Sequence, residues 1–459
     1  MIRFIKAYFG LYYSLYLFSF LVIYFAAILA PFVSVIIIVT SYYLIIRKRR
    51  FDVVIALILY SRSLNGFVIL HNEAAFFIVN LATSIIPVLL YFAIVLSRER
   101  ISIKKSGVIE YKYTLLLFLL LTASFIFNLS TSYDLISKRY LPFALFVLFP
   151  FVFRRTGDFD AKGMLRFFRS IFVASLVVLF FSDYLTITRD LMESDSVFSV
   201  ASDPNSFSLV YFSFTRNLGP AFDHRILAIM AYLFLLLCII YKSEYLKLDM
   251  IISSIIVVSS LSRGAILTYS FILIAYWVQM KKEKLVIVLL LVGALIGVLM
   301  IFSTSLLPDP VQEYLQSFSP RSQDNALDQR VVFANYAMAA FAKNPIFGAG
   351  IGALTSKLIS RSIYVDGAMV AAVGDAYWYI LLGETGIIGV LLYLLFLKEI
   401  FLAKNMLFVA LFVGFSIQLL GTDIPDMRFF YFAILVIVFM AKKAFVTNAD
   451  NRMTMEESG

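Results

Sequence analysis

The sequence predicts an all-α polytopic membrane protein, with about 12–14 transmembrane helices and a large helical loop on the outer side. Three observations predict it. First, 62% of the 459 residues are hydrophobic and only 15% charged. A soluble domain carries about 25% charged residues, so there is too little polar surface here to coat the apolar side chains. Second, the apolar residues fall in repeated runs near the length of about 20 residues needed to cross a bilayer. Third, Lys and Arg cluster at every second junction between runs, as cytoplasmic loops require. A soluble enzyme, a secreted disulfide scaffold and a disordered chain are excluded. The net charge of +10 is read as topology, not as affinity for nucleic acid. The single cysteine, Cys238, and two distant histidines, His71 and His224, leave little for a disulfide or a His-rich metal centre.

The runs lie near 10–28, 31–46, 51–70, 74–96, 112–129, 140–153, 170–187, 224–241, 249–262, 264–279, 285–303, 376–397, 405–421 and 429–441. The first is too long for a signal h-region and is read as a retained helix. The basic clusters Arg47–Arg50, Arg98–Lys105, Arg154–Arg155, Lys242–Lys247, Lys281–Lys284, Lys398–Lys404 and Lys442–Lys443 orient the chain with both termini cytoplasmic. Segment 157–169 sets Lys162, Arg166 and Arg169 opposite Met164, Leu165, Phe167 and Phe168, the pattern of an interfacial amphipathic helix. The resulting organisation is 1–187 and 224–303 as transmembrane blocks, 188–223 and 304–375 as outer loops, 376–441 as the last helices, and 442–459 as a polar cytoplasmic tail. Within the larger loop, QRVVFANYAMAAFAKNP (329–345) reads as a helix ended before Pro345.

The outward basic residues differ in kind from the cytoplasmic ones. They are mostly Arg: 62, 139, 189, 216, 225, 263, 321, 330, 361 and 428, against Lys138, Lys343 and Lys357. The planar guanidinium is the side chain suited to holding phosphate or carboxylate oxygens in pairs. An anionic ligand such as a lipid pyrophosphate fits this bias. The alternative for each Arg is an ion pair with an outer Asp or Glu. Arg62 and Arg263 lie inside apolar stretches, where a charge is costly and faces a cavity or a partner. Arg216, Arg225, Arg321 and Arg330 complete a candidate cationic pocket at the outer boundary.

Asp375 and Glu384, nine residues apart in GDAYWYILLGETGIIG, are candidate acid–base groups; a helix cap and a structural ion pair are their alternatives. His224 is a candidate base or a cap. Tyr377 and Trp378 are candidates to stack on sugar rings. FGAGIG (347–352) has no preceding strand, so it reads as a tight turn for close backbone approach, with amides that an anion could use.

RNLGPAFDHRILA, SLSRGAIL, RVVFANYAMAAFAKNPIFGAGIGAL and DAYWYILLGETGIIG follow in this order over about residues 210–400. The series resembles the O-antigen polymerase and O-antigen ligase superfamily. The resemblance implies a GT-C-like glycosyltransferase of a bacterial inner membrane, acting at the periplasmic face on undecaprenyl-pyrophosphate-linked oligosaccharides. It implies neither nucleotide sugar nor metal nor other cofactor, and leaves a chain-length regulator as a possible partner. Arg216, Arg263 and Arg330 fall at the superfamily's outer arginine positions, which hold lipid pyrophosphate and acceptor. The ligase pattern has His-Asn where this chain has Asp375-Ala376, which favours a polymerase. A ligase, a lipid-linked oligosaccharide flippase and a non-enzymatic scaffold are the competing readings.

Overall fold

The computed structural model describes residues 7–25, 29–69, 78–79, 81–98, 111–128, 159–181, 207–209, 212–214, 224–260, 262–281, 325–351, 353–354, 364–365, 368–369, 377–419 and 429–456. The expected segments 140–153 and 285–303 lie outside them. The described chain is helical apart from two small antiparallel hairpins, β1 (Phe207–Leu209) with β2 (Phe212–Phe214) and β3 (Tyr364–Val365) with β4 (Ala368–Met369). The all-α fold predicted from composition is thus the fold observed. The chain forms two compact units, Met1–Ile94 with Asp158–Ser322, and Val95–Gly157 with Gln323–Gly459. Each unit is discontinuous in sequence.

The first unit holds α1 (Leu11–Phe25), α2 (Ala30–Lys48), α3 (Phe51–Ile69), α4 (Ile86–Arg98, reaching past the unit's edge at Ile94), α6 (Ala161–Phe181), α7 (His224–Ile240), α8 (Leu246–Ser259) and α9 (Arg263–Gln279). A π-turn, Leu81–Ile85, leads into α4. Pro87 follows at the second position of α4, where it has no N–H to give to the turn before it, and the wider π-turn makes room for its ring. α7 is apolar on every side and buried from Ile226 to Cys238, as a central helix must be. α1 and α2 leave Leu11, Phe18, Phe32, Val35, Ile36 and Val39 exposed, a continuous apolar face that suits lipid rather than water.

The amphipathic segment is not a separate interfacial helix. α6 runs unbroken from Ala161, and Met164, Leu165, Phe167, Phe168 and Phe172 are buried within the unit. Phe168 stacks on Phe172, which meets Phe234 of α7 edge-on at 5.2 Å. Hydroxyls join the helices: Tyr12 and Tyr16 of α1 meet Ser41 of α2 at 2.6 and 3.2 Å. Tyr60 of α3 meets Ser34 at 3.0 Å and also Ser19. Such bonds hold helices together where a hydrophobic drive between them is absent.

The second unit holds α5 (Lys112–Asn128), α10 (Asn325–Lys343), α11 (Tyr377–Phe401), α12 (Met406–Gln418) and α13 (Phe429–Glu456). α10 stops before Pro345, as the sequence requires. α13 continues fifteen residues past the expected end at 441, because nothing in KKAFVTNADNRMTME breaks a helix. Glu399 of α11 caps α5: its carboxylate accepts from the Tyr113 and Thr114 amides at 2.9 and 2.8 Å and from the Thr114 hydroxyl. These amides have no partner within their own helix.

α2 and α11 are the two described helices long and apolar enough to cross a bilayer. α11, however, is not one rod. Gly386 has φ 65° and ψ −167°, which interrupts the helix. Sixteen residues of straight helix would separate Tyr377 from Tyr393 by about 24 Å. Their ring centroids are 5.2 Å apart, and those of Trp378 and Tyr393 5.6 Å. The two halves, 377–385 and 387–401, therefore fold back into a V with Gly386 at its apex.

Candidate functional site

In the first unit, three of the candidate residues come to one end. α7 and α8 are joined by a short turn, and α9 begins four residues after α8 ends. The Tyr269 hydroxyl of α9 bonds Ser253 and Ser254 of α8 at 2.9 and 2.8 Å. α7 and α9 therefore begin at the same end, with His224 and Arg225 opening one and Arg263 the other. Sequence placed Arg263 between two apolar segments with no loop; in the structure α8 ends at Ser259 and Arg263 opens α9. Ser262 occupies the N-cap position without a side-chain cap bond. A helix N-terminus carries a partial positive charge, and Arg225 and Arg263 stand in the first turns of α7 and α9. Such an end is stabilised by an anion. Arg225 is half-buried. The side chains of Arg62, His224 and Arg263 lie outside the described residues, although Arg62 falls within α3. Arg216 and Arg321 lie outside altogether.

The opposite end of the same unit shows what sequence reasoning missed. Asp249 is 1% exposed and Arg169 5%. Arg169 Nε and Nη2 donate to the two Asp249 oxygens at 2.9 and 2.7 Å. The Tyr8 and Ser243 hydroxyls donate to the same carboxylate at 2.8 and 2.6 Å. The guanidinium lies 4.3 Å from the Tyr8 ring centroid and 5.3 Å from that of Tyr245. A second cluster joins Arg50 to Asp160 at 2.8 Å and to fully buried Asp52, which also accepts from Tyr13 at 2.7 Å. Burial opposes the Arg50 charge, but its hydrogen bonds and attraction to Asp52 outweigh that and hold its pKa above the ordinary value. Arg50 and Arg169 were read as topological and interfacial charges. Both instead have buried acidic partners, and the signal was present as an acid at the start of an apolar run, Asp52 in FDVVIALIL and Asp249 in KLDMIIS.

In the second unit, Arg330 lies in α10, its side chain outside the described residues, and Asp375 lies outside altogether. Tyr377 is buried against Tyr393, while Trp378 stays half-exposed and its indole N–H donates to the Ser416 carbonyl at 2.8 Å. Glu384 is 3% exposed and stands two residues before the apex of the V.

FGAGIG builds that apex. Breaking α11 strands carbonyls on one side of Gly386 and amides on the other. The Ala349 and Gly350 amides donate to the Gly383 and Glu384 carbonyls, both at 2.8 Å. The Ile387 and Ile388 amides donate to the Pro345 and Ile346 carbonyls at 3.0 and 3.3 Å. Gly348 has φ 70°, and a Cβ there would strike the Glu384 and Thr385 backbone; a Cβ on Gly386 would strike the Ile346 carbonyl. The close backbone approach read from the glycines is present. The Gly348 amide goes to the Asn344 carbonyl at 2.8 Å and the Ile351 amide to Ser124 Oγ at 2.8 Å, so the four amides of residues 348–351 are already used and none of them is left to an anion.

No curated protein matches the chain. Residues 249–394 match the model of the Wzy_C family, described as O-antigen ligase. The matched stretch runs from α8 through α9 and α10 to beyond the apex of α11, and includes Arg263, Arg330, Asp375 and Glu384. By this match, about a third of the chain, from 249 to 394, is similar to the Wzy_C family, in keeping with the resemblance carried by the ordered motifs.

Proposed function

We propose that the protein is a polysaccharide polymerase that transfers a growing glycan from undecaprenyl pyrophosphate to a lipid-linked repeat unit at the periplasmic face of a bacterial inner membrane. Multiple crossings with both termini cytoplasmic are part of this proposal. The observation that carries it is the family match over 249–394, which contains the Arg motif, the outer helix and the V. Asp375-Ala376 in place of the ligase His-Asn favours the polymerase.

In this reading an acceptor hydroxyl attacks the anomeric carbon, the bond to the pyrophosphate oxygen breaks, and the lipid pyrophosphate leaves. Asp375 takes the hydroxyl proton. Arg216, Arg263 and Arg330 each stabilise charge on pyrophosphate oxygens or orient the acceptor. Arg62, Arg225, Arg321 and His224 contribute to binding. The position of Arg263 on the positive end of α9 supports its role, because an anion relieves both charges. The family's description as O-antigen ligase supports a second reading, in which the acceptor is lipid A core.

Deleting the gene in a polysaccharide-producing host tests these readings. A polymerase defect leaves a single repeat unit on the surface glycan. A ligase defect leaves lipid-linked polymer and no glycan on core, and a flippase defect leaves neither. Long chains persisting in the deletion exclude the polymerase. Arg216→Ala, Arg263→Ala and Arg330→Ala each shorten or abolish polymer at normal protein level.

A further inference from the structure

Among the described residues other than glycine, the ones with positive φ are all basic: Arg49 at 51°, Lys242 at 49° and Lys281 at 55°. They stand in the turns that end α2, α7 and α9. The left-handed position after a helix ordinarily takes glycine, because a Cβ is strained there. At the end of α7 the Ser243 amide reaches back to the Cys238 carbonyl at 2.9 Å, the closing bond of a glycine-type cap. The residue inside that cap is nevertheless Lys242. Topology asks only for basic residues somewhere in a junction. It does not ask for them at the strained position.

Lys242 and Lys281 come to one end of the first unit, together with Lys247. α7 and α9 begin at the same end and have 17 residues each, so they also finish together. α8 starts from the turn that closes α7. All three lysines are exposed, and none forms an ion pair among the described residues. Asp249 beside them is taken by Arg169, Tyr8 and Ser243, and Glu244 is the exposed acid on the turn.

An apolar strip leads away from these cations. Lys247, Ile251, Ile255 and Val258 follow at helical spacing and share one face of α8. Ile251 is 58% exposed, Ile255 43% and Val258 62%. Trp277, half-exposed, lies in the last turn of α9, and indoles favour the depth of lipid headgroups.

A cluster of cations at the head of an exposed apolar strip is complementary to an anionic phospholipid. We infer that Lys242, Lys247 and Lys281 bind the phosphate of such a lipid, phosphatidylglycerol being the simplest, and that its acyl chains lie along Ile251, Ile255 and Val258. The lysine stems follow the apolar surface while the ammonium groups meet the phosphate. The site is at the end of the unit away from Arg225 and Arg263, so it stands apart from the proposed glycan transfer.

Quenching by brominated lipid tests the site. Trp378→Phe leaves Trp277 as the sole tryptophan. The full chain is placed in nanodiscs of phosphatidylcholine and phosphatidylglycerol, with bromine on the acyl chains of one lipid or the other. Phosphatidylglycerol quenches Trp277 in preference, with an association about ten-fold stronger than that of phosphatidylcholine. Lys242→Gly, Lys247→Gln and Lys281→Gly combined remove the preference. Glycine suits the left-handed positions, so this variant melts no lower than wild type in phosphatidylcholine alone. Equal quenching by the two lipids, or a preference that survives the three substitutions, overturns the inference. So does a preference removed by sodium phosphate and not by sodium chloride of equal ionic strength, because that assigns the lysines to a free anion. If the combined variant does not accumulate, Lys247→Gln alone carries the comparison, with a loss of about five-fold. A preference retained in a protein that transfers no glycan sustains the lipid site and removes the proposed reaction.

Discussion

The two compact units treat buried polarity in opposite ways. In the first, the buried polar groups at the end away from the starts of α7 and α9 are side chains that complete one another: Arg169 meets Asp249 through two bonds, and Arg50 is held by Asp52 and Asp160. In the second, polarity is exposed by the backbone itself at Gly386 and is repaired by another piece of backbone, residues 345–350. That unit also keeps an amide unsatisfied at Gln418. Paired charges of this kind hold a scaffold in register. A broken helix, by contrast, spends backbone hydrogen bonds on shape, which is how the V carries Trp378 to α12. The comparison therefore assigns rigidity to the ionic clusters and, under the proposed function, substrate contact to the second unit's irregular backbone.

The largest expected effect lies in the ionic cluster. Arg169→Ala leaves Asp249 buried without its counter-charge and lowers stability by about 3–5 kcal/mol, read from equilibrium unfolding in detergent. Arg169→Met with Asp249→Leu removes both charges and costs much less than the single change. Equal losses for the single and double variants would show that the cluster is not an ion pair holding the scaffold.

Next comes the apex of the V. Gly386→Ala places a Cβ against the Ile346 carbonyl at a positive φ, and Gly348→Ala does so against the Glu384–Thr385 backbone. Each is expected to cost about 2 kcal/mol or more and to lower glycan transfer further than stability alone explains. Wild-type activity in both variants would break the assignment of function to the V.

The smallest effect belongs to a shared structural device. Glu399→Gln keeps an acceptor for the α5 amides but loses the charge that favours a helix N-terminus, and about 0.5–1 kcal/mol of stability is expected to go with it. Transfer activity is expected to stay at the wild-type level, which sharpens the contrast with the glycine variants.

Element positions were largely legible in the sequence because bilayer-length apolar runs and basic junctions leave few other arrangements. The described helices begin and end within a few residues of the expected ones in most cases, α1, α3, α5, α7 and α9 among them. The Pro345 stop was equally clear, since proline cannot continue a helix. The merger of 157–169 into α6 was not legible, because a buried Arg and an interfacial Arg look alike until Asp249 is placed. The same holds for FGAGIG. Its glycines announced a close approach, but which backbone approaches, and whether the amides stay free, depended on a break 38 residues away at Gly386.

The sequence by itself determined the solvent, the helices and the Arg bias of the basic residues away from the basic junctions, because each follows from local composition and spacing. Only the tertiary structure decided which charges are partnered, where α11 reverses and which polar atoms stay unsatisfied. Those outcomes depend on what lies within hydrogen-bond reach, and the residues that meet there, Tyr8 with Asp249 or Trp378 with Ser416, stand far apart along the chain.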